Sequence, residues 1–135
     1  MVVDSSALIA LIMDERLGWS VADALTREGG GAVGAPTLVE TAMVLAGRHM
    51  DGPAQAESAI SHTVAWFDLR LVEFGERHWW TAFHAFSTFG KGRHPAALNL
   101  GDCLTYAVAK LAGQPLLCVG NDFAQTDLEL VPLEG

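Results

Sequence analysis

The sequence predicts an α/β layer fold with a mostly parallel central sheet, and three observations carry that prediction. Short apolar segments alternate with longer stretches of helical periodicity. Glycine and proline punctuate the joins between them. Half of the 135 residues are hydrophobic and only 18% are charged, which suits one well-filled core and argues against disorder. A single domain spanning 1–135 is expected.

The elements follow in order. Met1 to Val3 reads as a short buried strand. Ser5 to Met13 reads as a helix, with Ala7, Leu8, Leu11 and Ile12 at helical spacing. Leu17 to Arg27 is a second helix, stopped by Gly29-Gly30-Gly31. Ala32 to Ala35 is a short strand, and Pro36 suits the first turn of a helix running to about Gly47. Pro53 to Phe67 is helical and Arg70 to Glu73 alternates as a strand does. Arg77 to Phe89 is helical, Gly90 to Pro95 is a loop, and Asn99 or Leu100 opens a helix to Leu111. Leu116 to Val119 is an apolar strand, and Leu128 to Val131 is a candidate last strand.

Several function classes are excluded or weakened. No apolar run approaches the ~18 residues of a membrane span, and no secretory pattern opens the chain, so a cytoplasmic protein is expected. The net charge of −8 argues against a broad nucleic-acid-binding face but suits a site that gathers cations or a basic partner. Neither nucleotide-binding glycine motif, G-x-x-x-x-G-K-[ST] or G-x-G-x-x-G, occurs. A receiver-like binding module would need a Lys after the strand at Leu116–Val119, and none follows it. Cys103 and Cys118 read as buried free thiols, and His49, His62, His78 and His84 show no metal-ligand spacing. Trp79, Trp80, Phe83, Phe86 and Phe89 read as mostly core.

The chemistry rests on acids. Ligands in such folds bind beyond the carboxyl ends of the strands, where Asp4 and Asp122 are expected. Asp4 reads either as a helix N-cap or as a metal ligand. Glu40 lies among apolar neighbours, where it is either a costly buried carboxylate or part of a polar stripe with Thr37, Thr41 and Arg48. Asp102 sits in a first helical turn, where a negative charge is favourable, beside Gly101, which permits close approach of another backbone or a ligand. Asp122 reads as a turn residue or a fourth acid, and Asp127 stands as its rival. A divalent cation relieves the repulsion among crowded carboxylates, activates water and stabilises charge on a phosphate.

These acids fall into a recognisable order. Asp4-Ser5-Ser6-Ala7-Leu8, Glu40 after Pro36, Asn99-Leu100-Gly101-Asp102-Cys103 and Gly120-Asn121-Asp122-Phe123 together resemble the motifs of PIN domains. Phe89-Gly90-Lys91-Gly92-Arg93-His94 resembles the VapC toxins of type II toxin–antitoxin systems. The resemblance covers essentially the whole chain. It implies a PIN-like three-layer α/β/α sandwich and a Mg²⁺- or Mn²⁺-dependent endoribonuclease acting on tRNA or ribosomal RNA. It also implies a homodimer, higher assembly with a VapB-type antitoxin, and direct metal ligation by Asp4 and Asp102. Glu40 and Asp122 then hold the metal through water, bind a second ion or orient the attacking water, and Ser6 hydrogen-bonds a carboxylate. Many PIN domains carry the fourth acid three residues before the Phe, where this chain has Gly120. Lys91 and Arg93 are candidate contacts for RNA phosphates. The apolar helices Leu8–Leu25 and Leu38–Leu45 are candidates for an antitoxin groove. An inactive PIN scaffold is the alternative.

Overall fold

A computed structural model describes residues 1–134, so Gly135 of the expected domain lies outside the described residues. The strands are β1 (Val2–Val3), β2 (Gly31–Gly34), β3 (Leu69–Val72) and β4 (Leu116–Leu117). The helices are α1 (Ser5–Ile12), α2 (Gly18–Glu28), α3 (Ala35–Val44), α4 (Pro53–Trp66), α5 (Glu76–Phe89) and α6 (Leu100–Ala112). A π-helical turn, Leu45–His49, continues α3. All strand pairs are parallel, in the order β3-β2-β1-β4.

Successive strand residues point to opposite faces, and that alternation builds two cores. Val2, Ala32 and Leu116 pack with α5 and α6, while Val3, Val33 and Leu117 pack with α1 and α2. Helix α4 joins the second side through Val64 and, with α3 and α1, encloses a third cluster around Leu45, Ala56 and Ile60. The result is the expected three-layer α/β/α sandwich.

The strand order reverses between β1 and β4, because β2 and β3 lie on one side of β1 and the last strand on the other. A crevice opens at such a reversal, beyond the carboxyl ends of the two strands. Asp4 follows β1 there, and Asp122 lies in the turn after β4. Helix α6 returns the chain to the start of β4, so its first turn, with Asp102, sits at the same edge. It ends at Gly113, whose φ of 63° closes the helix in the left-handed region that glycine adopts without cost.

Three expectations need correction. The last strand, expected over Leu116–Val119, stops at Leu117, because the Val119 amide turns to donate to the Ser6 hydroxyl. Leu128 to Val131 contributes one isolated parallel bridge, Leu116 to Leu130, rather than a strand. The aromatics of α5 are not mostly core. Only Ala82 and Ala85 of that helix are buried, and small residues let it lie close on α6. Trp79, Trp80 and Phe83 are therefore turned outward and at least half exposed, whereas Phe89 is partly buried against Tyr106.

Candidate active site

Asp4 takes the helix N-cap role that its sequence position allowed. It caps α1, accepting from the Ser6 amide at 3.1 Å, and it is buried at the sheet edge. The Ser6 hydroxyl donates to the same oxygen, Oδ2, at 2.6 Å and accepts from the Val119 amide at 3.0 Å. One serine thus ties the first acid to the strand end that leads into the Gly120-Asn121-Asp122 turn. This is the support expected of Ser6, extended to a second element.

Asp102 is held by a reciprocal capping box. The Asn99 amide donates to Asp102 Oδ2 at 3.1 Å, and the Asp102 amide donates to Asn99 Oδ1 at 2.9 Å. Its carboxyl is pushed up to about 6, chiefly by burial, and further by the negative charges of Asp122, Asp4 and Glu40. The four acids singled out in sequence therefore act on one another in space. They come from the ends of two strands and the starts or interiors of two helices.

Glu40 reaches this cluster across a glycine. Its carboxylate lies against the Cα of Gly101, where any β-carbon would overlap it. The group approaching Gly101 was expected to be another backbone or a ligand, and it is instead this side chain. The alternative polar stripe on α3 is absent: Thr37 and Thr41 are buried, and Val39 and Met43 are 59% and 70% exposed. Thr37 instead shares a buried hydroxyl contact of 3.2 Å with Thr105 of α6, which locks α3 to the helix carrying Asp102.

Asp127 stands apart. Tyr106 donates to its Oδ1 at 2.7 Å and Lys110 to its Oδ2 at 2.8 Å. Lys110 above all holds its carboxyl below the usual range. Both of its oxygens are engaged away from the cluster, so Asp122 is the fourth acid that the fold brings in. Cys118 is a neighbour that sequence reasoning missed. Burial pushes its thiol up to about 12, helped by Asp4, Asp122 and Asp102, so it is an un-ionised thiol beside the acids. No disulfide joins it to Cys103.

The donor set fits a hard divalent cation, since every contributor is a carboxylate. Burial, and after it the charges of the other three acids, keep the Asp102 carboxyl raised. Among the described residues no three His, Cys, Asp or Glu side chains close up as a complete ligand group. Lys91 and Arg93 lie on the loop between α5 and α6, both exposed. The Arg93 guanidinium sits over the Phe86 ring, 5.2 Å from its centre.

The candidate antitoxin surface is divided. Leu8, Val21 and Leu25 are fully buried in the monomer core, so that half of the expected groove is closed. Leu38, Val39, Ala42 and Met43 of α3 line an open apolar groove of about 430 Å³ with Ile60 of α4. Among the described residues no helix is long and apolar enough to cross a membrane.

Comparisons with known proteins bear on the family and the fold. The family profile for the PIN domain matches residues 1–129. Ribonuclease VapC36 of Mycobacterium tuberculosis is 46% identical over 130 residues, covering 96% of this chain and 91% of that protein. Among solved structures, VapBC2 from Rickettsia felis, bound to a DNA fragment from its promoter, superposes with a TM-score of 0.78 at 12% identity, covering 98% of each chain. VapC20 of Mycobacterium tuberculosis, described as a Sarcin-Ricin loop cleaving toxin, superposes with a TM-score of 0.76 at 16% identity, covering 96% of this chain and 97% of its own. At those identities the superpositions bear on the fold alone.

Proposed function

This chain belongs to the PIN-domain family and is a ribonuclease of the VapC toxin kind, and we propose that it hydrolyses RNA phosphodiester bonds at Asp4, Glu40, Asp102 and Asp122 with a divalent cation, Mg²⁺ or Mn²⁺. The observation that carries this reading is the Asp102 carboxyl, raised to about 6 by burial and by acids from three other elements. Such crowding costs stability, and it is a common mark of a functional site.

Asp4 and Asp102 would hold the cation directly, each keeping Oδ2 in a hydrogen bond to its own helix start. When bound, the cation supplies charge neutralisation for carboxylates and phosphate and acidifies the attacking water. Glu40 and Asp122 orient that water or hold the cation through water. Ser6 fixes Asp4 against the turn carrying Asp122. Lys91 and Arg93 would contact RNA phosphates, offsetting locally the repulsion from a chain of net charge −8. The substrate class is a structured RNA, tRNA or ribosomal RNA, cleaved in the cytoplasm.

The partner is a VapB-type antitoxin, and we place its amphipathic helix in the apolar groove between α3 and α4. The active species is a homodimer, with residues 1–135 as one PIN domain. Purified chain incubated with total tRNA and ribosomal RNA should release discrete fragments in Mg²⁺. EDTA or Asp102→Asn should abolish them. Cleavage that survives both treatments would overturn the mechanism.

A further inference from the structure

A second cleft adjoins the acids and has no role in the chemistry just described. It lies between α5 and the first turn of α6, with a volume of about 470 Å³, within the ~300–1,000 Å³ of small-ligand pockets. Trp79, Phe83 and Phe86 form its aromatic wall, and Leu100 and Leu104 form the opposite one. Trp79 and Phe83 are 50% and 58% exposed. No acid lines it, and Lys91 stands at its rim.

We propose that this cleft is a base-stacking subsite: one unpaired base of the RNA substrate inserts against the aromatic face of α5 while a neighbouring phosphate lies at the acids. The inference rests on the nuclease reading above. Three observations favour an RNA base as the occupant. First, the cleft is next to Asp102, because Asn99 both lines it and forms the capping box with that acid. Second, its charge complements a phosphodiester. The two ion pairs among the described residues use Arg27 and Lys110, leaving Lys91 at the rim and Arg93 stacked on Phe86 as cations beside the aromatic wall. Their loop is pinned: the Leu98 amide donates to the Phe89 carbonyl and the Lys91 amide to the Leu98 carbonyl, each at 3.0 Å. Third, the walls are apolar and aromatic, which suits a π-face and supplies few groups to read a base edge. The subsite thus selects an extruded base, as in a loop or bulge, rather than a particular sequence. A second copy of this chain is the less suited occupant, since no acid in the cleft pairs the cations it would cover.

The test is a cycle between protein and RNA. The loop cleaved in tRNA or ribosomal RNA is made as a synthetic hairpin, and abasic sites are placed singly along it. At one position, loss of the base should lower kcat/KM about tenfold, mainly through KM. Phe83→Ala should cost a similar factor on the intact hairpin. Both changes together should cost about tenfold rather than a hundredfold, because each removes the same contact. Phe83→Tyr should restore the wild-type value, and Trp79→Ala should reproduce the loss. Because both side chains are half exposed, circular dichroism should show an unchanged fold. Losses that multiply at every abasic position would overturn the subsite. So would wild-type cleavage by Phe83→Ala, or a loss explained by dissociation of a dimer in sedimentation. A wild-type chain that cleaves no RNA would bring down the nuclease reading, a failure distinct from cleavage that ignores Phe83.

Discussion

Two carboxylates lean on opposite ends of α6 and have opposite electrostatics. Asp102, at the start of the helix, has a carboxyl raised to about 6 by burial and by three other acids. Asp127 meets the end of the helix through Lys110 and Tyr106, which hold its carboxyl down. Asp127 therefore has a cationic partner within the protein, whereas Asp102 has only the Asn99 amide. A buried carboxylate raised further by three other acids fits the cation proposed above, whereas a paired one marks structure.

The sharpest way to break the comparison is activity. Asp102→Asn should reduce RNA cleavage by about a thousandfold, equivalent to about 4 kcal/mol of barrier. Asp127→Asn should leave it within about threefold. Single-turnover cleavage at saturating Mg²⁺ measures both, and equal losses would erase the distinction.

Stability should reverse the ranking. Asp127→Ala leaves the buried Tyr106 hydroxyl without its charged acceptor and should cost about 2 kcal/mol. The half-exposed Lys110 pair adds little to that. Asp102→Asn should instead stabilise the metal-free chain by about 1 kcal/mol at pH 7.5, after discounting for solvent screening at a partly exposed group. The sign follows from the direction of the shift. A carboxyl raised from 3.8 to about 6 favours the folded state fully below pH 3.8, and that contribution is lost as pH rises through 6. The gain from Asn should therefore vanish near pH 3.5. Urea titrations in EDTA at pH 3.5, 5 and 7.5 would show it. A gain that does not change with pH would separate it from the Asp102 charge.

Cation affinity should move the other way with pH. Protons compete for Asp102 below about pH 6, so Mg²⁺ binding measured by calorimetry should weaken there, by up to about tenfold per pH unit. Asp127→Asn should leave that profile unchanged.

Gly101→Ala gives the smallest effect. A β-carbon would displace the Glu40 carboxylate, the flexible end of a side chain, while alanine favours the helix. Cleavage should fall about fivefold with stability unchanged or slightly higher. If cleavage is unaffected, Glu40's seat on Gly101 has no part in the reaction.

Much of this was legible in the chain. The strand at Val2–Val3 followed by a capping Asp, and a helix opening at Asn99 or Leu100 with Asp102 in its first turn, are local patterns, set within four or five residues. The ordered acids pointed to one sheet edge because parallel strands share a carboxyl end. Less was legible where the answer depended on distant partners. On α3 the buried residues are threonines and the exposed ones include Val39 and Met43, inverting the usual polarity. Thr37 is buried because Thr105, 68 residues away, meets its hydroxyl. The aromatic run on α5 looked like core because bulky apolar residues are mostly buried, yet Ala82 and Ala85 form the packed face.

The sequence by itself determined the α/β class and most helix starts and stops, since each depends on periodicity or on short-range capping. Only the tertiary structure decided between Asp122 and Asp127, seated Glu40 on Gly101 and turned the α5 aromatics outward. Those outcomes depend on contacts between elements far apart in the chain. Sequence proximity holds no record of which charge or which small residue will lie opposite.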